Sequence, residues 1–345
     1  MSSGRPLVSY VVPVYREEGN LDLLHERLSA ALEQVDVDAE LIFVNDGSTD
    51  DSLARLVALS ERDERVVVVD LARNVGHQIA LTAGIDRASG DAVVIMDADL
   101  QDPPEVSIDL IREWQDGWDV VYAQRRTRKD GLFKRATASL FYRLLGTLSE
   151  VEIPRDTGDF RLIDRAVVEQ LRQYGERSRF LRGMISDVGF RQKAVLFDRD
   201  ARHVGESGYP LRAMIRFAVD GVTGFSSKPL ELISRVGLAM SVLALTGMLY
   251  AVGTRIFFPD RVVEGWTFIV VAVFLVGGLQ LLLMGIIGTY LGRVYDEVKG
   301  RPLYGVQQVY RSGREELALP TPLERRRGER YGSSTDAGAA DGPSR

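Results

Sequence analysis

The chain has 345 residues, 45% of them hydrophobic, with 43 lysines and arginines against 49 aspartates and glutamates. That length supplies one large domain or two smaller ones, and the net charge of −6 gives no global basic field, so no nucleic-acid partner is expected. The absence of cysteine excludes disulfides, zinc–thiolate centres and cysteine nucleophiles, and permits a reducing compartment. The opening "MSSGRPLVSYVVPVY" has too short an apolar run, and no cleavage pattern, for a signal peptide, so export is not expected.

Short β-rich runs then alternate with helical patterns. "LVSYVVPV" precedes a helix over 21–35, "AELIFVN" one over 51–59, "RVVVVDL" one over 78–88, and "DAVVIMD" one over 105–115, before a fifth run, "DVVYA". Uniformly apolar strands separated by amphipathic helices predict an α/β domain with a mainly parallel sheet covered on both faces. Such sheets bind ligands beyond the carboxyl ends of their strands. Those ends read "PVYREE", "NDGSTDD", "ARNVGHQ" and "DADLQD", all polar and turn-forming. A basic run, "RRTRKDGLFKR" (125–135), carries six cations against one aspartate and suits a diphosphate or an anionic leaflet.

Helical stretches over 134–148, 165–173 and 178–186 surround "GDFRLID" and the alternating, strand-like "RQKAVLF". The amphipathic stretch from 209 fits either the headgroup plane of a membrane or the surface of the soluble domain. Two apolar segments follow, 236–258 and 266–291, each longer than the roughly 20 residues that span a bilayer. Joined by "PDRVVEG", they predict a transmembrane hairpin. Lys228, Arg235, Arg293, Lys299 and Arg301 flank its outer ends against Arg255 and Arg261 at its tip, which places both termini in the cytoplasm. The expected division is a cytoplasmic catalytic domain over 1–228, two spans within 229–293, and a largely disordered cytoplasmic tail over 294–345. Gly288 and Gly292 at helix-packing spacing make a homo-oligomer plausible, of unspecified order.

The chemistry concentrates in "VVIMDADLQDPP". Asp97 and Asp99 leave the fourth strand two residues apart, and with the Gln101 amide oxygen they suit a hard divalent cation, Mg²⁺ or Mn²⁺, that keeps positions open for phosphate. Such an ion neutralises a departing nucleoside diphosphate. Asp46 suits a ribose or base edge, with Pro13, Tyr15 and Glu17 walling the base. Ser48 and Asp51 have capping-box spacing. His77, near a helix start, reads as structural.

"VVPVYREEGNL", "LIFVNDGSTDDS", "LARNVGHQIALTAGIDRASGDAVVIMDADLQDPPE", "KRATASLFYRLL", "IPRDTGDFRLIDRAVV", "RFLRGMISDVGFRQ" and "YPLRAMIRFAVDG" together resemble glycosyltransferase family 2, and within it the prenyl-phosphate glycosyltransferases: the dolichol-phosphate mannose synthases and the bacterial glucosyl enzymes of O-antigen modification. The resemblance runs from about Leu7 to Leu291. It implies a GT-A nucleotide-diphospho-sugar transferase domain that moves a monosaccharide, UDP-glucose being the expected donor, to polyprenyl phosphate with inversion, beside membrane lipids. A GDP-mannose donor and a non-catalytic nucleotide-sugar scaffold are the alternatives. By position the resemblance assigns Pro13, Tyr15, Glu17 and Asp46 to the nucleoside, Asp97, Ala98, Asp99 and Gln101 to diphosphate and metal, and Arg125 and Arg202 to phosphate. Asp159 falls where a candidate base stands, Arg161 follows it, and with Asp99 these are the expected catalytic residues. Two positions depart from the family pattern: Gly208, where a lysine is usual, and Asp187, where many bacterial members carry tryptophan.

Overall fold

The computed structural model describes residues 4–126, 157–177, 179–198, 266–312 and 314–316, with 233, 235–240, 242, 245 and 246 between them. Arg202, Gly208, the amphipathic stretch from 209, the helix expected over 134–148, most of the basic run, the hairpin tip and residues 317–345 lie outside the described residues.

A nine-stranded sheet organises the domain. Its first five strands are β1 (Leu7–Val14), β2 (Asp38–Asn45), β3 (Val66–Leu71), β4 (Ala92–Ile95) and β5 (Val120–Arg125), and these alternate with α1 (Leu21–Leu32), α2 (Ser52–Arg62), α3 (His77–Arg87) and α4 (Val106–Gln115). Then come β6 (Thr157–Asp164), α5 (Arg165–Leu171), α6 (Leu181–Asp187), β7 (Gln192–Phe197), α7 (Trp266–Lys299), β8 (Val306–Arg311) and β9 (Arg314–Glu316). The strands lie in the order β7-β5-β6-β4-β1-β2-β3-β8-β9. The contiguous pairs from β4 to β3 are parallel, as is β5 with β7, whereas β6 and β8 run against their neighbours.

The pattern of burial explains the parallel core. All of β3 is buried, as are seven of the eight residues of β1, because helices cover both faces and leave no side for polar residues. From β1 the chain winds one way to β2 and β3, then crosses back to place β4 on the other flank of β1. That reversal opens a crevice at the carboxyl ends of β1 and β4. Helix α3 packs close on the face of β1 and β2: a Cβ at Gly84 would collide with Val11 and Val44 side chains, so only glycine permits the approach.

Two features of this fold differ from the sequence reading. Residues expected in a disordered tail instead form β8 and β9, so the domain is not confined to 1–228. The chain re-enters the sheet because β3 offers an unpaired edge, which β8 fills antiparallel with Val309 opposite Val69. Ala72 N–H also donates to the Gly305 carbonyl (2.9 Å), and the Tyr304 hydroxyl donates to buried Asp86 on α3 (2.8 Å). Second, the capping box is not formed. Ser48 Oγ instead accepts from Arg16 N–H (3.2 Å), Asp51 makes no side-chain cap, and Asp50 accepts from Ser52 N–H (3.2 Å).

Two compact units divide the chain, one of residues 1–132, 152–208 and 301–345, the other of 133–151 and 209–300. The first holds the whole sheet. The second holds α7, 34 residues long, within which Leu275–Lys299 is long and apolar enough to cross a membrane (mean hydropathy 1.7, none of it buried). Leu275, Leu281, Met284 and Leu291 on this helix are exposed. The first apolar segment, 236–258, falls mostly outside the described residues.

Candidate active site

The acidic turn begins where β4 ends. Leu100 takes a left-handed backbone (φ 57°) although buried, and Gln101 N–H donates to Asp99 Oδ1 (3.1 Å), so the turn folds back on its own carboxylate. About a third of the Asp97 side chain is exposed, yet its Oδ1 is shut from solvent and has no hydrogen-bond partner. Burial pushes the Asp97 carboxyl up to about 6; His77 opposes this, while Asp159, Asp102 and Asp99 add to it.

Asp159 reaches this turn from a strand 60 residues further on. β6 runs antiparallel to β4 with Arg161 opposite Ile95, so the residue two before Arg161 lies near the residue two beyond Ile95. Asp159 is buried (5% exposed) and accepts from Arg182 Nε (2.6 Å) and Nη2 (3.2 Å), from Gln78 Nε2 (3.0 Å), and from His77 Nε2 (3.0 Å). His77 Nε2 also lies 3.4 Å from Asp97 Oδ1, which joins the two acids. Burial alone would raise the Asp159 carboxyl, but His77 and Arg182 hold it well below the usual carboxylate range. Burial would lower the His77 imidazole, and the same two carboxylates raise it instead. A carboxylate so stabilised is a poor proton acceptor near neutrality.

Arg161 is buried, which lowers it to about 10, and it donates to the backbone carbonyls of Gly158 (2.9 Å) and Asp159 (3.4 Å). It braces the strand that carries Asp159. Arg125 ends β5 with Nη2 3.6 Å from Asp102 Oδ1, bringing the first cation of the basic run to the acidic turn. A Cβ at Gly158 would stand 3.5 Å from both of these side chains.

The loops after β1 and β2 form the other wall. Tyr15 is exposed, with the Arg16 guanidinium 5.3 Å from its ring centre; Arg16 has φ 58° and donates through Nε to Thr49 Oγ1 (3.0 Å). Glu17 accepts from Asn20 Nδ2 (2.6 Å). Pro13 is buried near the end of β1, opposite Val44. Asp46 is also buried: its two oxygens accept from Val75 N–H (2.7 Å) and Gly76 N–H (3.0 Å), which fixes the loop that starts α3. Both oxygens of Asp46, expected to meet a ribose or base edge, thus already accept from the chain's own backbone. Gly47 (φ 64°) completes this junction, because a Cβ there would come within 2.6 Å of Asn74 N.

The structure thus brings Asp97, Asp99, Gln101, Arg125 and Asp159 to one end of the sheet. Sequence reasoning read His77 as structural and gave no site role to Gln78, Asp102 or Arg182. The first two lie in "ARNVGHQ", a strand end already singled out, so position was the available signal; Arg182 lies in "RFLRGMISDVGFRQ", whose likeness to the family was the signal there. Asp187 accepts from the Tyr174 hydroxyl (2.8 Å) at the end of α6.

Residues 9–172 match the model of glycosyl transferase family 2. An uncharacterized glycosyltransferase of Bacillus subtilis is 47% identical over 303 residues, covering 88% of this chain and 94% of that protein. The chain belongs to glycosyl transferase family 2. This transferase is also 39% identical over 306 residues to the SfII prophage-derived bactoprenol glucosyl transferase of Shigella flexneri, covering 88% of this chain and 98% of that one. Among solved structures, glucosyl-3-phosphoglycerate synthase from Mycobacterium tuberculosis aligns over 64% of this chain and 77% of that one at 21% identity, with a TM-score of 0.42, a likeness too slight to carry function.

The acidic turn is also the candidate seat for a divalent cation. Among the described residues no three histidine, aspartate or glutamate side chains already converge as a ligand set. Asp97 Oδ1, shut from solvent, without a hydrogen bond, 3.4 Å from His77 Nε2 and set among three further carboxylates, is nevertheless the kind of atom a cation satisfies.

Proposed function

We propose that this family 2 transferase moves a monosaccharide, glucose from UDP-glucose, to polyprenyl phosphate with inversion at the sugar carbon. The observation that carries this reading is the meeting of the acidic turn with the knot of His77, Asp159 and Arg182 at the switch point of the sheet. The lipid acceptor and the glucosyl group are supported by the bactoprenol glucosyl transferases, 39% identical over nearly their whole length. The exposed apolar helix α7 suits work at a membrane. In this reading 236–258 and 266–291 both span the bilayer, with both termini in the cytoplasm.

Asp97, Asp99 and Gln101 would hold Mg²⁺ or Mn²⁺, which when bound supplies neutralising charge for a diphosphate leaving group. Arg125 places a further cation at the same turn. Tyr15, Arg16 and Glu17 present the donor's nucleoside with an exposed aromatic ring and polar neighbours. The acceptor needs little activation: a phosphate monoester has its second pKa near 6 and is largely dianionic at pH 7. Asp159 accordingly orients Arg182 and His77 and leaves proton removal to the acceptor's own ionisation. Positioning and charge stabilisation then supply most of the rate.

The test offers the purified full chain a panel of nucleotide sugars, GDP-mannose included, with polyprenyl phosphate and a divalent cation, and weighs the lipid by mass spectrometry. Hexosyl-phospholipid from UDP-glucose is expected. Product from GDP-mannose alone would replace the donor assignment, and nucleotide sugar binding without lipid product would point to a scaffold.

A further inference from the structure

The geometry points to Gln78 as the residue that positions the Asp159 knot, a role that no single strand-end motif reveals. Its side-chain amide is used at both ends with opposite polarity. Nε2 donates to Asp159 Oδ2 on β6 (3.0 Å), and Oε1 accepts from Leu181 N–H at the start of α6 (2.9 Å). Three segments distant in sequence, at 78, 159 and 181, therefore meet on one planar group.

The second contact matters because α6 lacks a cap of its own. Phe180 stands at its N-cap position and makes no side-chain cap bond, so Gln78 caps it from 103 residues away. The residue after Leu181 is Arg182, whose guanidinium grips Asp159 through Nε and Nη2 and donates through Nη1 to the Thr157 carbonyl (3.1 Å). Fixing Leu181 fixes the root of that arginine. Gln78 itself is fixed from behind, since Asp46 holds Val75 and Gly76, the two residues before His77, at the start of the same helix.

Only one orientation of the amide works. Turned over, it would set an oxygen against the Asp159 carboxylate and an NH₂ against the Leu181 N–H, two repulsive contacts in place of two bonds. Glutamine is thus specified by polarity as well as by length. Glutamate has the length but no donor for Asp159, and leucine has neither function. Gln78 is a positioning residue: it acts through Asp159 and Arg182, and this rests on the reading of the cleft as the transfer site.

Full-length Q78E, Q78L, R182K and Q78E/R182K are purified, the folded fraction is measured, and kcat and KM are determined for nucleotide sugar and polyprenyl phosphate. Q78E is expected to lower kcat per folded molecule by about ten- to a hundredfold, the scale of a lost hydrogen bond to a charged group, with Q78L no better. The nucleotide sugar KM should stay within about twofold of wild type, since the loops after β1 and β2 are untouched. The double variant should lose less than the product of the single losses, because both act on Asp159. Wild-type kcat in Q78E, a loss that merely follows the folded fraction, or multiplicative losses would overturn the assignment. A crystal structure of Q78E tests the geometry whatever reaction the cleft performs: the introduced carboxylate should turn away from Asp159 and leave Leu181 N–H uncapped, and an unmoved side chain would overturn the positioning role.

Discussion

Asp46 and Asp63 are both carboxylates tied to nearby donors, but only one of them bears on the site. Asp46 spends its oxygens on Val75 and Gly76 and so sets where α3 begins. Asp46→Ala should cost about 1–3 kcal/mol in urea unfolding, because two backbone donors lose their acceptor. Asp63 lies near the amino end of β3, where Arg65 donates to it through Nε (2.9 Å) and Nη2 (2.7 Å) and His25 Nε2 lies 2.8 Å away. Burial alone would raise its carboxyl, but these partners hold it well below the usual range. A depressed carboxyl stabilises the fold above its unfolded pKa, and that contribution is lost as pH falls through the folded value. The unfolding-temperature gap between wild type and Asp63→Asn should therefore be full at pH 7 and shrink on acidification below the ordinary carboxylate range. A gap that is constant with pH would rule this out.

At the scale of elements, α3 is held at both ends. Its first turn carries His77 and Gln78 into the site, while its last turn gives carbonyls to Arg172 (Asp86 O, 2.8 Å) and its Asp86 carboxylate to Tyr304. Tyr304→Phe leaves the buried Asp86 without that donor, and a loss of about 1–3 kcal/mol is expected in the same unfolding assay. Truncation after Lys299 should do more, since it removes β8 and β9 and bares the edge of β3. Aggregated protein, read by light scattering, is the expected outcome, and a soluble, active truncation would show that the sheet closes without them. Periodicity made the β1 to β5 alternation legible, because each strand is apolar throughout and each helix amphipathic. It did not reveal β8: "VQQVYR" has neither a continuous apolar run nor strict alternation, and its place is set by the open edge of a strand more than 200 residues earlier.

For the molecule as a whole, the sequence marks the cleft more clearly than its wiring. The crowding of Asp97, Asp99 and Asp102 behind an apolar strand was visible, because local spacing records a turn. The bonds of Asp159 to Gln78 and Arg182 were not, because they join β6 to α3 and α6, segments far apart in sequence that spacing does not bring together. The function proposed assigns the sheet-bearing unit to sugar transfer and the unit bearing α7 to the membrane. In the function proposed, the acidic turn drives sugar transfer to a lipid phosphate. The most direct test compares wild type and Asp99→Asn, both folded and purified in detergent, with UDP-glucose, polyprenyl phosphate and Mn²⁺, and follows the lipid by mass spectrometry. Wild type should yield the lipid phosphate carrying one hexose with matching UDP release, and Asp99→Asn should fall by at least about a hundredfold. Equal turnover by the two proteins, or UDP release that ignores the lipid acceptor, would contradict it.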